Sequence, residues 1–124
     1  MTEPQRRAQP AIVTLPHQID GANAERVYEE LRAACGPGVT VVADMTATRF
    51  CYSTGIRNIA LADEHARTLE GQLRLALPAG VVHRVLELLG LDKVLLIYPT
   101  MATAVNGHAA VLNGLPSWQV PSGL

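Results

Sequence analysis

Long apolar runs are missing from this 124-residue sequence, and so is an excess of charge of either sign. Nothing approaches the roughly 20 consecutive apolar residues that a membrane-spanning helix needs. The N-terminal "MTEPQRRAQP" is polar and lacks the apolar centre of a secretory signal. These absences imply a soluble, cytoplasmic protein without a membrane partner. The formal net charge is -1, and the basic residues are scattered from Arg6 and Arg7 through Arg26, Arg32, Arg49, Arg57, Arg67, Arg74 and Arg84 to Lys93. No basic patch follows, so direct nucleic-acid binding is not expected. Cys35 and Cys51 have no metal or redox spacing, and His17, His65, His83 and His108 are equally dispersed. Metal and cofactor sites are therefore not expected. The GxSxG and phosphate-loop patterns of common enzymes are absent, and no pair of carboxylates is placed for acid–base work, so the chain is read as no enzyme.

What is present is an alternation of periods. The chain is long enough to bury a core as one domain. Four apolar segments read as strands, namely "AIVTL" (11–15), "VTVVADM" (39–45), "QLRLAL" (72–77) and "KVLLIY" (93–98). Between and after them lie helical patterns. Ala24, Val27, Leu31 and Ala34 mark the first, ahead of Gly36 and Gly38. Ile56, Ile59, Ala60, Ala66 and Leu69 mark the second over about 55–69, which Gly71 is expected to end. Val82, Val85, Leu86 and Leu89 mark the third, and Met101, Ala104, Val105 and Leu112 a fourth over about 101–112, weakened by Gly107.

Strand–helix alternation at this pitch predicts an α/β fold with crossover connections and a largely parallel sheet. Right-handed crossovers gather the carboxyl ends of the strands on one rim, where Asp20 can approach Ser53 and Thr54. Residues 1–10 read as a flexible tail. The Pro- and Gly-rich 113–124, with the lone Trp118, reads as a loose tail whose tryptophan either docks on the domain or stays in solvent. Asp44, at the end of a strand, is expected to orient the loop that follows, and "ADEHARTLEG" (62–71) to form a solvated helix face.

The stretch "FCYSTGIRNI" (50–59) sets two hydroxyls, Ser53 and Thr54, at the mouth of a helix. Two roles are open. A Ser or Thr in that place most often accepts a backbone N–H of the first turn as a cap. A hydroxyl on a tight turn can also be phosphorylated, because a helix N-terminus offers unpaired N–H groups and a positive dipole end. Gly55 would then let a partner's backbone come close.

The order "LPHQIDGANAERVYEEL", "VVADMTATRFCYSTGIRNIALA" and "GQLRLALPAGVVHRVLELLGLDKVLLIYPTMATAV" resembles the STAS domain of the anti-sigma-factor antagonist family over residues 11–112. The joined features are the "QID" turn, the strand ending in Asp44, the Phe-x-x-Ser-Thr-Gly turn and "LLGLDKVLLIYPT". The resemblance implies a largely parallel four-stranded sheet with about four helices, to which the family usually adds an N-terminal edge strand.

It also implies a non-catalytic binding role. The partner is a serine/threonine-kinase anti-sigma factor of the histidine-kinase-like ATPase type, and a phosphatase resets the switch. The phosphorylated position falls on Thr54, with Ser53 as its neighbour, and the partner-binding positions on Asp20, Tyr52, Ser53, Thr54 and Gly55. Tyr52 departs from the family, which usually has Asp there. That removes a carboxylate and implies slower phosphorylation. It also favours the competing reading, a STAS scaffold or sensor that binds a partner or small ligand and is never phosphorylated.

Overall fold

The computed structural model describes residues 9–107. In chain order the elements are β1 (Ala11–Thr14), β2 (Gln18–Ile19), α1 (Ala24–Ala34), β3 (Thr40–Asp44), β4 (Phe50–Cys51), α2 (Ser53–Thr68), β5 (Gln72–Ala76), α3 (Val81–Leu88), a 3-10 turn (Leu91–Lys93), β6 (Leu96–Tyr98) and α4 (Met101–Asn106). Among the described residues, four strands form one sheet in the order β1-β3-β5-β6, every pair parallel. The α/β architecture read from the sequence is thus the one observed. The family's additional N-terminal strand, the two tails and Trp118 concern residues that lie mostly outside the described range.

Strand β3 is central for a reason visible in its residues. Val41, Val42 and Ala43 are all buried, as a parallel strand covered on both faces requires. Alternation then divides the core into two layers. Val41, Ala43, Leu73, Leu75 and Ile97 pack with Val27 and Leu31 of α1, Ile59, Ala62 and Ala66 of α2, and Val82 and Leu86 of α3. On the other face Val42, Ala76 and Tyr98 meet Ala104 of α4. Arg74, also on that face, holds α4 down. Its Nη1 donates to the Ala104 carbonyl at 2.9 Å, its Nε donates to Gln72 Oε1 at 2.7 Å, and its guanidinium lies 5.8 Å from the Tyr98 ring centre. A cation on the last carbonyls of a helix suits its negative end.

Several details differ from the sequence reading. Helix α2 begins at Ser53 rather than near 55. The expected strand 93–98 shortens to Leu96–Tyr98 because Leu91–Lys93 coil into a 3-10 turn. Helix α4 ends at Asn106, where Gly107 takes a left-handed φ of 82°; the remainder of the expected helix, 108–112, lies outside the described residues. At the end of α2 the left-handed position belongs to Glu70 (φ 62°), not to Gly71. The Glu70 N–H donates to Arg67 O and the Gly71 N–H to Ala66 O, the paired bonds that close a helix around such a residue. Gly71 is needed because its missing side chain would collide with the Val39 backbone.

The charged 62–71 stretch is not uniformly solvated either. Asp63 is only 4% exposed and pairs with Arg67 at 2.7 Å. Burial pushes its carboxyl above its ordinary value, and the guanidinium partly offsets this.

Candidate functional site

The carboxyl ends of β1 and β3 feed two loops, and those loops are stitched together. Thr48 Oγ1 donates to the Pro16 carbonyl at 2.8 Å, and the Arg49 N–H to the His17 carbonyl at 2.7 Å. The loops then run side by side as a second, two-stranded parallel ladder, with Gln18 facing Phe50 and Ile19 facing Cys51. The Tyr52 N–H donates to the Ile19 carbonyl at 2.9 Å. This short ladder brings Asp20 beside the Tyr52–Gly55 turn, the approach anticipated from the rim argument. The ladder itself was not anticipated. Asp44 orients the neighbouring loop, as expected, by accepting from the Thr46 N–H and hydroxyl at 3.0 and 2.7 Å.

Asp20 is held firmly. Gln18 Nε2 donates to one carboxylate oxygen and the Ala22 N–H to the other, both at 2.9 Å, while its own N–H donates to Asn23 Oδ1. The Gln18 bond, then the Ala22 bond, draws its carboxyl below the ordinary value, so it is charged at neutral pH.

Ser53 and Thr54 are both exposed, at the first and second positions of α2. The capping position belongs to Tyr52, whose backbone is extended (φ -83°, ψ 173°), and no side chain caps the helix. The hydroxyls therefore do not act as the caps that the sequence favoured. The first helical bond runs from the Ile56 N–H to the Tyr52 carbonyl at 3.0 Å. Among the described residues, the N–H groups of Ser53, Thr54 and Gly55 have no acceptor, and the first turn holds no acidic residue.

Gly55 has a packing role that the sequence did not announce. It is buried, and a Cβ there would run into the Ile19 side chain and lie 2.9 Å from Cys51 Sγ. Its smallness lets α2 sit on the β2–β4 ladder. Cys51 faces this contact, and burial pushes its thiol up to about 11. Two exposed neighbours escaped the sequence reading, Arg49 and Phe50. The alternation of Phe50 and Tyr52 about the inward Cys51 is the signal that could have found Phe50.

The arrangement presents two free hydroxyls, unpaired N–H donors and a fixed carboxylate on one exposed turn. Among the described residues no three His, Cys, Asp or Glu side chains gather for a metal, and no helix is long and apolar enough to cross a membrane.

Comparison with known proteins gives the turn a context. No curated protein matches the chain in sequence. The fold superposes on an anti-sigma factor antagonist of Mycobacterium paratuberculosis with a TM-score of 0.69 at 25% identity, over 77% of this chain and 82% of that one. A Thermotoga maritima protein assigned as an anti-sigma factor antagonist gives a TM-score of 0.67 at 21% identity, over 77% and 86%. The murine anion transporter Slc26a9 matches with 0.61 at 22% identity, over 76% of this chain and 17% of the transporter. The STAS domain family matches residues 2–104. That span is most of the chain, which belongs to the STAS domain family.

Proposed function

We propose that this STAS domain is a cytoplasmic anti-sigma-factor antagonist that works by partner switching. In this reading it binds a serine/threonine-kinase anti-sigma factor of the histidine-kinase-like ATPase type and frees the sigma factor. The kinase then transfers the γ-phosphoryl group of ATP to the Thr54 hydroxyl, whose proton leaves as ADP departs. The phosphorylated domain dissociates until a phosphatase restores the hydroxyl. The chain contributes no catalytic group of its own.

The observation that carries this reading is the pair of idle hydroxyls. Ser53 and Thr54 stand exposed at an uncapped helix mouth, beside Asp20 and over N–H groups without acceptors. Those N–H groups and the helix dipole would stabilise a phosphate there. Phosphate adds about two negative charges at neutral pH. A loss of about 3 kcal/mol on that surface already weakens a complex more than a hundredfold. The anti-sigma factor antagonist neighbour at 25% identity supports the same role. Thr54 is preferred over Ser53 because it directly precedes Gly55.

The test is to incubate the chain with the organism's kinase-type anti-sigma factors and ATP, followed by phosphopeptide mapping. Phosphate on Thr54 is expected. Phosphate on Ser53 reassigns the site, and none with an active kinase overturns the switch.

A second reading has its own support. The same fold occurs within an anion transporter, so fold alone does not select the role. Tyr52 puts a ring where the antagonist family usually has a carboxylate. A constitutive scaffold that is never phosphorylated would fit both. It predicts partner binding that is unchanged by ATP.

A further inference from the structure

We propose that the groove beside the turn is where the partner anchors an apolar side chain flanked by a carboxylate. The inference rests on the partner-switching reading and deepens it. Phe50 is the only phenylalanine in the sequence, yet it is 50% exposed. Tyr52, two residues along, is 54% exposed. Strand alternation turns both outward while Cys51 turns in toward Gly55. Across the groove Val81, at the start of α3, is 61% exposed. Phe50 and Val81 both line this groove and leave apolar surface uncovered there, as the core of an interface does.

The groove fits one kind of occupant. It holds about 480 Å³ between the loop after β3 and the loop after β5, with Leu77 and Val82 as buried lining. Among the described residues Arg49 is the only charged one lining it, and its side chain has no hydrogen bond or ion pair with any of them. The nearby carboxylate, Asp20, is already engaged by Gln18 and Ala22 and does not line the groove. An apolar anchor with an adjacent Asp or Glu satisfies both the walls and the unpaired guanidinium.

The test uses the full chain and the organism's purified kinase-type anti-sigma factors, with affinities measured by calorimetry at several salt concentrations. Phe50→Ser and Val81→Asp should each weaken binding about tenfold or more. Arg49→Gln should flatten the salt dependence, and Arg49→Glu should weaken binding most at low salt. All four changes are at exposed side chains, and thermal melts check that each variant stays folded. Unchanged affinity in every variant, with phosphorylation of the turn still releasing the wild-type partner, overturns the groove alone. Failure of every kinase to bind the wild-type chain overturns both readings. Self-association through Phe50, seen by sedimentation and competing with no kinase, assigns the patch to a second copy and overturns the proposal.

Discussion

Helix α4 closes its first turn with two threonines, whereas helix α2, which also opens on hydroxyl residues, leaves both of them unused. At α4, Thr100 is the cap. Its hydroxyl accepts from the Thr103 N–H at 3.1 Å, and the Thr100 N–H donates back to the Thr103 hydroxyl at 3.2 Å. At α2 the corresponding positions hold Tyr52 and Gly55. The first cannot cap, and the second has no side chain. The hydroxyls fall one and two residues later, where they meet no backbone donor of the turn. Identical chemistry thus supports structure in one helix and is left available in the other. The one-residue frame of the helix start decides which.

The contrast is sharpest at the third helical position. Gly55→Ala should produce the largest change, about 1–3 kcal/mol of destabilisation, because the new methyl has no room against Ile19 and Cys51. Urea denaturation measures it. A loss below about 0.5 kcal/mol would show that the β2–β4 ladder yields freely. Next in size is Thr100→Ala, which removes a working cap and should cost about 1 kcal/mol by the same method.

Tyr52→Asp should act in the opposite direction. An extended Tyr52 backbone is already the geometry from which a short side chain can cap, so the variant should gain about 0.5 kcal/mol. It should also speed phosphorylation by a cognate kinase, read as the initial rate of label incorporation. A slower rate with raised stability would mean that the ring itself contacts the kinase. The smallest effects belong to Ser53→Ala and Thr54→Ala, each within about 0.5 kcal/mol of the parent. Either variant losing 1 kcal/mol or more would erase the distinction between the two helix starts.

The four sheet strands and the helix faces were legible because each repeats a period several times. Val27 and Leu31, or Val41 and Ala43, announce a buried side by spacing alone. The proximity of Asp20 to the turn also followed, because parallel topology allows only one rim. The β2–β4 ladder was hidden, since two residues per strand carry no period. The frame of α2 was hidden for a related reason. Ser and Thr are good caps in general, and only the ladder, by ending at Cys51, moves the start of the helix back to Ser53. Asp63 sits in a run of charges, and nothing in that run distinguishes the one charged residue that turns inward.

The parallel sheet also constrains how the chain reaches its native state. Ala11 must find Val41, Val41 must find Leu73, and Gln18 must find Phe50 before any ladder bond forms. Among the described residues no hairpin exists to seed the sheet, so loop-closure entropy is spent before strand pairing returns anything. Refolding should therefore run in milliseconds to seconds rather than microseconds. The two-residue ladder has the fewest bonds to recover, which marks it as the last piece of sheet to form and the first to open. The turn that it positions can then exchange its amides while the sheet stays shut.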